Sequence, residues 1–291
     1  MTGSILRVRH LAVLAGQVAV FAGLLAVHPL AAQEPLLSLY DKLQVNLSLT
    51  GVFLNSDIRV DGSEGGGTEV DAEDDLGLDK LKLEPRAAVR YRPWRRHEFE
   101  AGYQFARRTG EKTLERTIEV GDSTFDLGAR VKTIFDSDQA FLTYRFAIMA
   151  KERTQLGAGL GLGALFFKFG VEAQLDAGGG SAEGKVEKSI TAPVGSLGVY
   201  GRFLSGDRWQ FDADARVFAL EIDRFDITVL ELGGAARYAL SQKFSLELGY
   251  SGSGITVDVL PKDGGTEESR LEAGKVKYSL QSLRFGATWV P

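Results

Sequence analysis

Residues 154–169 read TQLGAGLGLGALFFKF, and as an extended strand this segment has two very different faces. Successive side chains of a strand alternate sides, so Leu156, Ala158, Leu160, Leu162, Ala164 and Phe166 fall on one face. Gln155, Gly157, Gly159, Gly161 and Gly163 fall on the other. A soluble strand built this way would bring a bare glycine face to its core. The pattern suits a wall that meets lipid on one side and a crowded lumen on the other.

The N-terminus narrows the choice. Arg7 and Arg9 precede the apolar run Leu11–Val27, which ends before a small-residue exit at Leu30-Ala31-Ala32. This order predicts a secretory signal over 1–32, cleaved after Ala32, and a mature domain over 33–291. An uncleaved anchor is the alternative, because the run nearly spans a bilayer, but Pro29 and the alanine pair favour processing. Beyond Val27 no stretch approaches the ~20 apolar residues of a membrane helix. An exported chain of this kind is either soluble or closed into a barrel, the other way to satisfy every backbone group in lipid. With no cysteine, disulfides and thiolate metal sites are excluded. The net charge of −5, which becomes −7 without the two signal arginines, argues against a nucleic-acid partner.

Period-2 alternation recurs along the mature chain. The runs are centred on Leu47, Ala87, Ala101, Leu142, Leu160, Val199, Ala213, Leu232, Leu248 and Phe285, which predicts about ten strands, with eight or twelve as alternatives. Short links at Pro93–Arg96, Ala147–Arg153, Leu204–Asp207 and Leu240–Lys243 alternate with long ones at Asn55–Asp79, Arg108–Lys132, Phe169–Ser189 and Thr256–Gly274. Only the link near Asp223–Asp226 is tight where a long one is due. Tyr91, Trp94, Phe99, Tyr144, Phe146, Phe203, Trp209, Tyr238, Phe244 and Trp289 lie beside the short links or at the C-terminus. They predict an aromatic girdle at the periplasmic interface. The fold class expected is all-β, a closed antiparallel up-and-down transmembrane barrel, with a soluble barrel or sandwich as its rival. Residues 107–133 carry Glu115, Arg116, Glu119 and Lys132 around Gly121-Asp122, and read as a hairpin standing above the membrane. If it inserted, the count would rise to twelve.

The signal, the alternating strands, the short-turn and long-loop rhythm and the closing strand SLRFGATWV resemble the outer-membrane β-barrel superfamily over nearly the whole mature chain. Arg90-Tyr91-Arg92-Pro93, Gly121-Asp122-Ser123-Thr124-Phe125 and Ala219-Leu220-Glu221-Ile222-Asp223 are similar to phrases in small barrels of unassigned function. The resemblance implies outer-membrane lipid as surroundings and the barrel-assembly machinery as a partner of the C-terminal strand. Members usually end in an aromatic residue, whereas here Trp289 is followed by Val290-Pro291.

The face opposite the apolar rows is charged. Lys82, Glu84, Arg86, Arg90, Glu98, Glu100, Arg145, Arg202, Asp212, Asp214, Arg216, Glu231, Arg237, Glu247 and Arg284 all alternate with outward residues, and Arg92 joins them. In a barrel of about ten strands such side chains can fill the lumen and must pair, because an unpaired buried charge is costly. The expected result is a plugged, salt-bridged interior. A narrow pore with a charged constriction is the alternative, and catalysis by carboxylates a third. His10 and His28 leave with the signal, so His97 alone remains, beside a short turn. Barrel hydrolases as a class place their histidine at the opposite end, which argues against Ser–His chemistry. Asp212/Asp214 and Glu98/Glu100 share a face within each pair, and pairing with Arg86, Arg90 or Arg216 is their expected state.

The first long link holds Asp57, Asp61, Glu64, Glu69, Asp71, Glu73, Asp74, Asp75 and Asp79 around Gly65-Gly66-Gly67. Its spacing fits no EF-hand, so it reads as a solvated loop. Gly178-Gly179-Gly180 and Gly264-Gly265 read as loop tips. The chain is therefore expected to be a monomeric, non-enzymatic outer-membrane barrel with a largely filled lumen. No cofactor or metal is expected, the role is structural or interactive, and any extracellular ligand would sit at the long loops. A narrow channel for small polar or ionic solutes is the alternative.

Overall fold

The computed structural model describes residues 36–61, 67–120, 122–174, 185–222, 225–259 and 274–291. The expected signal over 1–32, its cleavage site, Glu64 and the glycine tips at 178–180 and 264–265 lie outside them. The strands are β1 (Leu43–Val60), β2 (Val70–Asp71), β3 (Leu81–Trp94), β4 (His97–Gln104), β5 (Arg107–Thr113), β6 (Ile118–Val120) and β7 (Ser123–Phe125). They continue with β8 (Arg130–Ala150), β9 (Thr154–Gln174), β10 (Lys185–Ser205), β11 (Trp209–Ile222), β12 (Phe225–Ala239), β13 (Phe244–Val259) and β14 (Gly274–Trp289). Antiparallel neighbours run β14-β13-β12-β11-β10-β9-β8-β4-β3-β1, and β14 pairs with β1 from Val45–Trp289 to Val60–Gly274. The sheet thus closes on itself as an up-and-down barrel of about ten strands, with β5 extending the line of β4 along β8. The charged stretch at 107–133 adds no stave. Its hairpin forms the separate pair β6–β7, so the count stays near ten.

The outer wall is apolar. Leu47, Leu83, Leu162, Leu197, Leu248 and Phe285, from six different strands, are all exposed. Inside β9, the glycine face lets neighbours close in. A Cβ on Gly157 would collide with the carbonyl oxygen of Phe146 and stand 2.8 Å from the Tyr200 ring. Gly157→Ala is expected to cost about 1–3 kcal/mol, the usual range for an overpacked core. Urea unfolding of the refolded chain measures it, with Gly170→Ala as the near-neutral control, since a Cβ there meets its nearest atom at an ordinary 3.5 Å.

The strands are longer than the apolar rows suggest. β9 runs to Gln174 and β10 starts at Lys185, each 21 residues long. Above Phe166 the alternation inverts. Lys168 and Glu172 take the outward positions while Phe167, Phe169 and Val171 are buried inside. A reading that follows the outward apolar row loses the strand where that row ends.

This inversion divides the lumen in two. On the short-turn side the inward residues of β1 are Gln44, Asn46, Ser48 and Thr50; beyond them come Val52, Leu54 and Ile58. Phe135, Phe167, Phe169, Val257 and Val259 continue the apolar zone around the wall. Most of the buried charges expected in the lumen therefore lie in the short-turn half, and the buried Arg108–Glu73 pair stands within the apolar half. The first long link is not a solvated loop either, which corrects that reading. Its Val70, Ala72, Leu76 and Leu78 are buried against the apolar zone, with Leu114, Ile118, Val120 and Phe125 of the hairpin segment beside them. Burial of this many apolar side chains outweighs the repulsion of the acids, which turn outward or pair.

The segment ahead of β1 packs at the short-turn mouth. Leu37 and Leu39 pack on the inward-facing Leu204 and Ala239. The Leu36 amide donates to Asp207 O at 2.7 Å, and the Tyr40 hydroxyl to Lys151 O at 2.8 Å.

Candidate functional site

The densest chemistry lies in the short-turn half of the lumen. Glu98 and Glu100 point inward from β4, two residues apart. The ladder sets Arg145 of β8 opposite Glu98 and Arg90 of β3 opposite Glu100. Arg202 reaches Glu98 from β10 with a bidentate grip at 2.6 and 2.7 Å. Arg145 donates to Glu98 at 2.9 Å, Arg90 lies 3.4 Å away, and Arg92 also pairs with it. Glu98 thus takes four guanidinium groups. Glu100 takes three, from Arg86 at 2.8 Å, Arg90 at 3.0 Å and Arg145 at 2.8 Å.

Further pairs surround this centre. Glu247 holds Arg237 and Arg284, each at 3.0 Å. Gln44 Oε1 accepts from both Arg90 (3.1 Å) and Arg237 (3.2 Å), which links the two groups. Arg216 pairs with Asp214 at 3.0 Å and Glu231 at 3.7 Å, and Asp212 lies 3.5 Å from Arg202. A polar void of ≈ 90 Å³ remains among Arg86, Arg90, Glu100, Asp214, Arg216 and Glu247. Two of the residues singled out in the sequence stand apart. Lys82 enters no ion pair among the described residues, and Glu84 accepts only from Gln104, at 2.7 Å.

The aromatic residues singled out above all sit on the outer wall at the short-turn end. Trp94, Phe146 and Tyr144 surround His97, whose Nδ1 lies 2.8 Å from the Tyr144 hydroxyl. Phe99 packs on Tyr144 at 5.2 Å, and Trp209 on Tyr238 at 4.8 Å. Tyr91, Phe244 and Trp289 are exposed at the same end, and Phe203 is half-buried there.

Two further features escaped the sequence reading. Glu73, from the acidic link, is buried against Arg108. Arg108 also donates to Ser56 Oγ at 2.8 Å and lies over the Phe135 ring at 4.8 Å, while the Ser56 amide donates to Glu73 at 2.8 Å. The inward rhythm Gln104-Ala106-Arg108 and the apolar spacing of Val70, Ala72, Leu76 and Leu78 were the available signals. Leu37 and Leu39, ahead of the first strand, are the other case. Outside the barrel wall, Lys277 holds the Glu69 carboxyl below its ordinary range. Burial would raise Asp75, but Arg116 and the Asp71 amide outweigh it and bring that carboxyl below its usual value.

Chemically, the central carboxylates are saturated acceptors held by arginines, an arrangement that favours rigidity over proton transfer. No group of three or more His, Asp or Glu among the described residues is arranged to hold a metal.

No family model and no curated protein matches the sequence. Among solved structures, the chain is similar to the outer membrane protease OmpT from Escherichia coli, with 10% identity and a TM-score of 0.53, over 89% of this chain and 100% of that one. It also matches the translocator domain of the autotransporter NalP from Neisseria meningitidis, at 16% identity and TM-score 0.36, over 96% and 95% of the two chains. The attachment invasion locus protein Ail of Yersinia pestis matches at 13% identity and TM-score 0.34, over 84% and 99%. The likeness to OmpT shows the fold alone, a closed antiparallel β-barrel; at the lower TM-scores the other two add nothing to it.

Proposed function

We propose that this chain is a monomeric outer-membrane barrel that works through its long-loop end rather than through its lumen, in a structural or surface-interaction role. The observation that supports this reading is the side-chain packing found at three successive levels of the lumen. Leu37 and Leu39 pack at the short-turn mouth. The arginine–carboxylate lattice around Glu98 and Glu100 crosses the next layer. The apolar zone with its packed loop residues narrows the third. Outward apolar rows would meet lipid, the outward aromatics would mark the periplasmic interface, and the strand ending at Trp289 would contact the assembly machinery. Residues 1–32 would direct export and be removed.

OmpT is a protease, but 10% identity transfers no activity. His97 is bound into the aromatic cluster at the short-turn end, away from the long loops. The alternative of a narrow channel draws on one observation, the two voids of ≈ 90 and ≈ 170 Å³ that follow one another along the lumen.

Planar-bilayer recording of the refolded mature chain separates these readings. The expected result is silence, with insertion verified by heat-modifiable gel mobility. Steady ohmic steps whose ion selectivity reverses in Arg216→Glu would overturn the closed-lumen reading in favour of the channel.

A further inference from the structure

The ladder of the barrel wall is interrupted between β10 and β11. β10 and β11 pair from Ser205–Trp209 to Leu197–Val217, and there their ladder stops. Toward the long loops β10 continues through Ser196–Lys185 paired with β9, and β11 through Phe218–Ile222 paired with β12. Two strand edges therefore face each other unpaired. Pro193 lies in this open stretch of β10, and a residue without an N–H is confined to strand edges and bulges. Leu197 and Val217, where the seam begins, are 60% and 53% exposed on the outer wall. The unpaired stretch thus starts inside the outward apolar band. Unpaired backbone groups facing hydrocarbon are costly, so such a seam is a place where something other than acyl chains answers the backbone.

A cavity of ≈ 170 Å³ lies directly behind the seam. Val194, Gly195 and Ser196 of the open β10 edge form part of its wall. Its long-loop side is apolar, with Val52, Leu165, Phe167, Val229, Ile255 and Leu280. Its opposite side carries Glu84, Thr50, Arg86, Arg216 and Arg284. The three arginines are committed to Glu100, Asp214 and Glu247. Glu84 Oε1 and Thr50 Oγ1 have no hydrogen-bond partner, although the two residues are only 2% and 4% exposed. They are direct cross-strand neighbours on β3 and β1. The cavity is therefore amphiphilic, and its unsatisfied polar end offers a carboxylate and a hydroxyl oxygen. An apolar cavity of about 150 Å³ is large enough for benzene.

We propose that this mid-lumen cavity binds a small apolar molecule carrying a hydrogen-bond-donating head, an amine or an alcohol, which enters sideways from the membrane through the β10–β11 seam. The head donates to Glu84, and the apolar body lies against Leu165, Phe167 and Val229. Entry through the wall does not depend on access from either mouth, so this inference goes beyond the proposed function and does not need it.

The test uses ¹⁹F NMR of 4-fluorobenzylamine, 4-fluorobenzyl alcohol and 4-fluorobenzoate with the full mature chain refolded in detergent micelles. The amine and the alcohol are expected to bind, and the benzoate at least tenfold more weakly. Glu84→Gln is expected to weaken the amine at least tenfold and leave the alcohol within threefold. Thr50→Val serves in its place should that variant not fold, and is expected to weaken both. For the route, Gly195→Cys is introduced into the otherwise cysteine-free chain and labelled after folding with a pyrene maleimide. The label is expected to slow amine exchange at least tenfold, whereas the same label at Leu283→Cys, on the outer wall of β14, leaves it unchanged. Benzoate binding as tightly as the amine, or no binding of any probe, would overturn the site. Equal exchange in the two labelled proteins would overturn the lateral route.

Discussion

Glu98→Ala is expected to cost the barrel about 3–5 kcal/mol, the range for breaking a buried ion pair by removing one partner. Glu98 is fully buried and accepts from Arg90, Arg92, Arg145 and Arg202. Its loss would leave Arg92 and Arg202, both buried in the lumen, without their main acceptor. Arg90 and Arg145 would keep Glu100. Glu98→Gln retains an acceptor oxygen but removes the charge, and is expected to fall between the wild type and the alanine variant. Urea titration of the chain refolded in lipid vesicles, followed by heat-modifiable mobility, measures both. A cost below about 1 kcal/mol, the range of exposed pairs, would mean that the arginines are hydrated and that the lattice does not fill the lumen.

Glu73→Leu is the second large effect, expected to cost about 3–5 kcal/mol for the same reason but at the other end of the molecule. Arg108 would lose its carboxylate while its guanidinium stays enclosed beside Phe135, Ser56 and the apolar zone. The first consequence is local: residues 67–80 would lift from the mouth of the barrel. Trypsin cleavage after Lys80 is expected to accelerate at least tenfold in the variant, with the barrel itself still resistant. Adding Arg108→Met should recover most of the stability, because replacing both members of a buried pair by apolar groups is often neutral. A double variant as unstable as the single one would show that the pair is not what holds the loop.

Much of this architecture is legible in single residues. Leu156–Phe166 on one face and Gly157–Gly163 on the other already distinguish an apolar exterior from a crowded interior. The structure agrees through Leu162 outside and Gly157 pressed on Tyr200 inside. The charged stretch around Gly121-Asp122 is likewise readable as a hairpin that adds no stave. The acidic link is where local reading fails. Nine acids outweigh four apolar residues in any count of composition, yet Val70, Ala72, Leu76 and Leu78 decide its conformation because a matching apolar surface exists above Thr50. That surface is assembled from β1, β8, β9, β10 and β13, and no window of the sequence contains it.

The chain's alternation alone specifies a strand-built wall with an apolar outside, about ten crossings, and short turns gathered at one end. These follow from period-2 geometry, which acts between residues two apart and so is written locally. The pairing of one Glu98 with four arginines drawn from β3, β8 and β10, the change from charged to apolar lumen, and the seam above Leu197–Val217 came from the closed barrel. Each depends on which strands become neighbours across the ring and at what register. Ion pairing, burial and edge exposure act over a few ångströms between residues that are, for Glu98 and Arg202, 104 positions apart in the chain.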